Sequence, residues 1–257
     1  MAISAAAWLL IAREILNLPI NLTLILLVFS SALAVYNLDR LHLVDESLDQ
    51  TNVPKRTRWI ANHQILLFSL TALALALLLI LTFSHYEHLA GFIITVFVFG
   101  VAYALPFIHF HGHYYSFKSL PFFKMIFVAT LWVSFVVGLP LLHYQTNMDA
   151  NAIHLLLAIA GFVMVQVTLN DLRDIKGDKA HHVLSLPVVV GPCGARMICV
   201  VLTMMATYFG AQLAAIPFII LGIYTLILVF FYNRKKDYFW RPWIELQALP
   251  GLAVLFI

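Results

Sequence analysis

The chain of 257 residues is 63% hydrophobic and 11% charged, with a mean hydropathy of +0.94. Soluble globular domains are about a quarter charged, so this composition excludes a single water-soluble core and predicts a bundle of membrane helices. A formal net charge of +3 is too small to point to nucleic acid.

Apolar runs between charged or Pro/Gly-rich breaks predict nine helices in one all-α domain over residues 1–257, enclosing a central cavity. They fall at 2–16, 20–38, 62–83, 89–108, 121–142, 152–172, 193–213, 216–232 and 241–257. The first is short and carries Arg13 and Glu14. No basic stretch precedes it, so a cleavable signal peptide is not expected. Asn21-Leu22-Thr23 matches a glycosylation triplet, but its place at a helix start makes it a chance match. Pro121, Pro140, Pro217 and Pro250 fall near helix ends or mark kinks. Cys193 and Cys199 are the only cysteines; six residues apart, they face different ways on a helix, which argues against a disulfide or thiolate metal site.

Nine antiparallel spans put alternate loops on opposite sides. The loops around 39–61, 109–120, 173–192 and 233–240, with the adjoining helix ends, hold 14 of the 15 Lys and Arg residues; only Arg13 lies opposite. The positive-inside rule makes that side cytoplasmic, the inner membrane being the location in a bacterium. Nine of the 12 acidic residues gather there too. The rule says nothing about acids, so their crowding requires its own cause.

The acids form two clusters. In "NLDRLHLVDESLDQTNVPKR", residues 37–56, Asp45 and Asp49 are four apart and share a helical face. In "NDLRDIKGDKA", residues 170–180, Asp171, Asp174 and Asp178 are three and then four apart and point the same way on a helix. Carboxylates at a helix C-terminus are disfavoured by the macrodipole, and like charges at this spacing repel. A hard divalent cation such as Mg²⁺ offsets both, being held by one or two carboxylates and substrate phosphate. Nearby Arg and Lys would cover the remaining phosphate oxygens. A solvated, salt-bridged loop face would look similar, since Arg173, Lys176 and Lys179 interleave with the second cluster. Two clusters with matching Asp-x-x-x-Asp spacing, each after a span and on the same side, favour function.

These residues resemble the UbiA superfamily of intramembrane prenyltransferases. "DLRDIKGDKAHHVLSLPVVVG" is similar to that family's second aspartate-rich motif, with Asp174, Asp178, Gly177, Lys179, Ser185, Leu186, Pro187, Val188 and Gly191 at the matching positions. The first motif runs Asn-Asp-x-x-Asp-x-x-x-Asp, followed by a proline and an arginine. Asp45, Asp49, Pro54 and Arg56 fit, but the leading pair falls on Leu41-His42, and Asn37 and Asp39 one turn earlier are the alternative. "YALPF" at 103–107 and "KSLPFFK" at 118–124 resemble the loop after the family's fourth helix, which lends lysines to diphosphate.

The resemblance implies nine transmembrane helices and Mg²⁺ held by Asp45, Asp49, Asp174 and Asp178, with Asp171 and Asp39 as supporting carboxylates. It implies Asn37, Arg56, Lys118, Lys124, Asn170, Arg173 and Lys179 as the diphosphate-binding set. The expected reaction is Mg²⁺-dependent transfer of a polyprenyl group from its diphosphate to a lipophilic, ring-bearing acceptor within the membrane, releasing diphosphate. A membrane terpene cyclase, needing no acceptor, is the nearest alternative. A cation-coupled transporter is the other; against it, the acids sit at one membrane face rather than the midplane.

Two further segments stand out. His109-x-His111-x-His113 alternates in a way that suits a transition metal, but no cysteine or acid lies close in sequence, so an interfacial loop is expected. "YNRKKDYFWRPW", 232–243, mixes basic and aromatic residues as a cytoplasmic loop against membrane lipids does.

Overall fold

The computed structural model describes residues 1–41, 52, 54–104, 108–110, 113–115, 123–180 and 183–255. The predicted carboxylates Asp45 and Asp49, as well as Lys118, His111, Pro121 and the His181-His182 pair, lie outside the described residues.

Among the described residues the fold is helical apart from one short antiparallel hairpin. The helices are α1 (Ala2–Ile15), α2 (Leu22–Leu41), α3 (Pro54–Asn62), α4 (Gln64–His85) and α5 (Ala90–Ala104). The hairpin pairs β1 (Ile108–Phe110) with β2 (His113–Tyr115) in the predicted His-rich stretch. Then come α6 (Phe123–His143), α7 (Ala150–Ala180), α8 (Leu186–Ala211), α9 (Ala215–Phe231), α10 (Asp237–Glu245) and α11 (Leu249–Leu255).

Among the described residues, five helices are long and apolar enough to cross a membrane: α2, α4, α6, α7 and α8. A sixth span arises only if α9 and the segment after it, bent by 105°, count as one. Among the described residues each predicted span overlaps a helix, although Ile108 at the end of the 89–108 run belongs to β1, and a count of nine crossings is not established. α1 has 14 residues and α5 has 15, and the bilayer core needs roughly 17–25. The predicted helix at 241–257 is two short helices. Pro250 has no N–H to continue the ladder, and the chain breaks across Leu246–Ala248.

The outer surface differs from that of a water-soluble bundle. Ile65, Phe68, Leu73 and Ile80 on α4, and Met197, Val201, Met204 and Tyr208 on α8, are exposed, which suits a lipid surround. Inside, Trp8 of α1 stacks on Phe162 of α7 at 5.8 Å between ring centroids, and Phe162 on Phe218 of α9 at 6.4 Å. All three are fully buried. α7 is the central pillar, packing against both α6 and α8, while α2 packs against α1 and α4.

Local irregularities follow from sequence. Pro140 in α6 lacks the donor for the carbonyl four residues back, and the turn Ser134–Gly138 before it widens to a π-helix. In α8, Gly191 adopts φ +77° and breaks the helix before Pro192. A residue before proline is pushed out of the α region, and only glycine takes a positive φ without strain. The continuous part of α8 therefore begins close to the predicted residue 193. At the opposite end of the bundle from α7's aspartates, the Tyr86 hydroxyl meets Thr23 Oγ1 at 2.8 Å and donates to Asn21 Oδ1 at 3.2 Å. Burial pushes the Tyr86 phenol upward, so it stays neutral in this tie between α2 and the α4–α5 corner.

Candidate active site

α7 carries the site beyond the lipid. Its 31 residues span about 46 Å at 1.5 Å per residue, against a hydrocarbon core of about 30 Å. The helix outruns its predicted apolar segment by eight residues, from 172 to Ala180, and the aspartates occupy that extension. Asp171, Asp174 and Asp178 all face one cavity of about 400 Å³, as their spacing predicts.

Each carboxylate has a local partner. Asp171 is buried and pairs with Lys124 of α6. Asp178 is buried and accepts a 2.6 Å hydrogen bond from Ser185 Oγ at the head of α8. Asp174 is half-buried and accepts two parallel bonds from Arg173, Nε to Oδ1 at 2.6 Å and Nη2 to Oδ2 at 2.7 Å. The third nitrogen of Arg173, Nη1, is buried with no partner among the described residues. An unsatisfied buried guanidinium N–H is costly, which makes it a ready donor for an incoming anion's oxygen.

The opposite walls come from other helices. α2 contributes Tyr36, Asp39 and Arg40; α3 contributes Arg56 and Thr57; α5 contributes Tyr103. α10 contributes Arg241 and Glu245, joined by an i,i+4 bond of 2.7 Å. Asn52 lines the same cavity, its Oδ1 accepting the Gly177 N–H at 2.8 Å. The two segments approach so closely that a Cβ on Gly177 would stand 2.4 Å from the Asn52 amide nitrogen. This is a physical reason for the glycine in the Gly177-Asp178 step.

A second, apolar cavity of about 120 Å³ adjoins the first between α1, α2, α5 and α6. Its walls include Ala5, Val28, Ala32, Val35, Gly100 and Leu131. Tyr36, Asp39, Tyr103 and Val128 line both cavities and mark their junction. The Tyr103 hydroxyl there is buried and unpartnered among the described residues.

Of the predicted site residues, the structure thus brings Asp39, Arg56, Lys124, Asn170, Asp171, Arg173, Asp174 and Asp178 to one cavity. Two predicted phosphate ligands are not brought there. Asn37 is buried on α2 and lines neither cavity; Lys179 is exposed on the outer face of α7. Sequence reading missed Tyr36, Asn52, Tyr103, Arg241 and Glu245. The only local signal among them was the i,i+4 spacing of Arg241 and Glu245. Among the described residues, no three His, Cys, Asp or Glu side chains converge closely enough to hold a metal by themselves.

A helical bundle with exposed apolar flanks and a charged cavity adjoining an apolar one is the architecture of a multi-pass membrane protein. The model of the UbiA prenyltransferase family matches residues 1–243, and the chain belongs to that family. The fold is similar to the apo structure of a UbiA homolog from Aeropyrum pernix K1, with a TM-score of 0.70 and 14% identity, covering 99% of this chain and 94% of that one. It is also similar to a UbiA homolog from Archaeoglobus fulgidus bound to DMAPP and Mg²⁺, with a TM-score of 0.64 and 16% identity, covering 100% and 96%. No curated protein matches the chain significantly.

Proposed function

We propose that this protein, acting as one transferase domain, transfers a prenyl group from its diphosphate to a lipophilic, ring-bearing acceptor inside the membrane. The observation that carries this reading is the pairing of the two cavities. The larger one offers fixed charges to a diphosphate, the smaller an apolar recess to its tail, and the reacting carbon would lie at their junction. Family membership and the DMAPP- and Mg²⁺-bound relative support the donor class.

The donor set fits Mg²⁺. The described carboxylates are hard oxygen ligands beside open cavity, and Mg²⁺ needs only one or two of them plus phosphate and water. Asp174 and Asp178 would hold it from α7, with Asp45 and Asp49 from the other motif and Asp171 and Asp39 as supporting carboxylates. When bound, the ion neutralises the diphosphate and makes it a better leaving group.

The chain's own groups do the rest. Arg173, through the Nη1 that has no partner among the described residues, and Arg56 and Lys124 are donors to phosphate oxygens, with Lys118 expected to join them and Asn170 set beside them. The pair with Asp171 fixes the Lys124 ammonium at the cavity edge. At the junction the Tyr36 and Tyr103 rings face a developing allylic cation. The apolar recess keeps water from that cation. The donor's C–O bond breaks with its electron pair going to diphosphate. A bond then forms from a nucleophilic carbon or oxygen of the acceptor, which gives up a proton. The basic residues at the helix ends and turns support a cytoplasm-facing site by the positive-inside rule.

The test is product identity. Purified protein in nanodiscs would receive labelled geranyl, farnesyl and geranylgeranyl diphosphates with a panel of aromatic and quinone-precursor acceptors. A labelled prenyl–acceptor adduct supports the transferase. A cyclic hydrocarbon formed from donor alone would replace it with a cyclase, and no turnover beside cation flux would replace it with a transporter.

A further inference from the structure

α10 is amphipathic in the sense opposite to that of a water-facing helix. Its polar side turns inward: Arg241 and Glu245 line the charged cavity, and Ile244 between them is buried. The Ile244 carbonyl accepts a 2.7 Å bond from Gln166 of α7, which fixes the helix from within. The outward side carries Tyr238, Phe239, Pro242 and Trp243, at i, i+1, i+4 and i+5. Tyr238 is 82% exposed, Phe239 52% and Trp243 51%. In water that stripe would be a liability; at the acyl–headgroup boundary, rings with a polar edge are at their most stable.

The turn before α10 supplies charge. α9, an apolar helix, ends at Phe231, and the chain then bends by 105°. Arg196 of α8 locks this end, donating to the carbonyls of Val229, Phe230 and Tyr232 at 2.7, 2.9 and 2.6 Å from the nearer nitrogen. Arg234, Lys235 and Lys236 follow in an exposed 3₁₀ turn, with the Lys235 N–H held by Asn233 Oδ1 at 2.9 Å. The nearest acid in sequence, Asp237, accepts from the Tyr232 hydroxyl at 3.0 Å. Three cations are thus presented on a rigid turn, adjoining an aromatic stripe.

We propose that the Arg234–Lys236 turn and the Tyr238, Phe239 and Trp243 face form a docking surface for anionic phospholipid headgroups. Charge complementarity selects the headgroup, and the aromatic stripe selects a bilayer over a soluble acidic partner, which would leave three rings in water. Each basic group close to an anionic bilayer contributes roughly a fivefold preference.

The test needs no turnover, so it stands apart from the proposed reaction. Protein is placed in nanodiscs of mixed phosphatidylglycerol and phosphatidylcholine, with bromine on the acyl chains of one lipid or the other. The Trp243 signal is isolated as the difference between wild type and Trp243→Phe. The expected result is severalfold stronger quenching of Trp243 by the brominated anionic lipid. That excess should vanish at high salt and in the R234Q/K235Q/K236Q variant, whose altered side chains are all exposed. Salt on the wild-type protein gives the same reading without any variant. Equal quenching by both lipids would return the basic turn to water or to a soluble acidic partner and overturn the proposal. Absence of quenching would overturn it too, by placing the aromatic face outside the bilayer.

Discussion

Arg173 grips Asp174, its neighbour in sequence, through two parallel hydrogen bonds of 2.6 and 2.7 Å, while its third nitrogen is buried and has no partner among the described residues. A guanidinium in this position does two things: it orients a carboxylate and keeps one donor for an anion. A lysine can do only one of them. Arg173→Lys should therefore raise the donor KM by roughly tenfold to a hundredfold, the range of a charge-assisted bond worth about 1.5–3 kcal/mol. Arg173→Ala should do more and also weaken the dependence on Mg²⁺ concentration. Steady-state kinetics at varied Mg²⁺ check this; unchanged KM in both variants would remove Arg173 from the site.

Lys124 and Asp171 form an ion pair between α6 and α7, with Asp171 almost wholly out of solvent. Lys124→Met leaves that carboxylate buried alone, a change that costs about 3–5 kcal/mol. The double variant Lys124→Met with Asp171→Leu should recover most of the stability without recovering activity. Thermal unfolding in detergent measures the first effect and donor turnover the second. A double variant as unstable as the single one would contradict the pairing.

Gly177 and Asn52 meet without room for a methyl group, a Cβ falling 2.4 Å from the amide. Alanine is the better helix former by about 1 kcal/mol. Gly177→Ala should nonetheless impair donor binding, because it displaces Asn52 from the cavity wall. Adding Asn52→Ala makes space, so Gly177→Ala/Asn52→Ala should regain wild-type stability or exceed it while donor binding stays weakened. Thermal unfolding and calorimetric titration with a non-hydrolysable donor analogue separate the two effects.

The apolar cavity should set chain length. Ala32 lines it from α2, and Ala32→Leu fills part of its volume. The variant should lose at least about tenfold in kcat/KM for a geranylgeranyl donor relative to a geranyl donor, one or two methylenes in an apolar pocket being worth about 1–3 kcal/mol. Competition between the two donors reads that ratio directly. A uniform loss for both would mean that the tail lies elsewhere.

The α7 half of the site was legible because its information is local. Asp171, Asp174 and Asp178 share a face by helical arithmetic, and the structure keeps that face on a cavity. The apolar runs likewise marked the long helices, since lipid demands a continuous apolar segment, whereas the charged α3 at Pro54–Asn62 left no such trace. Tyr36, Tyr103 and Glu245 were illegible for the opposite reason: their place in the cavity walls depends on how helices pack, which no periodicity records. Asn37 shows the converse case. It stands two residues before Asp39 near a plausible motif, and that offset on α2 puts it on another face of the helix, buried and lining neither cavity. The run at 241–257 was misread because a composition suited to one span hid the break before Pro250 and the bend after α9.

Diphosphate release from a labelled prenyl donor, followed with and without Mg²⁺ in nanodiscs, tests the central claim most directly. Wild type should release diphosphate only with Mg²⁺, and Asp174→Asn, which keeps shape and removes charge, should lower the rate by about 10²-fold or more. Asp45→Asn should do the same if the two motifs share the task. Release that persists without Mg²⁺, or that is untouched in a folded Asp174→Asn protein, would contradict the account.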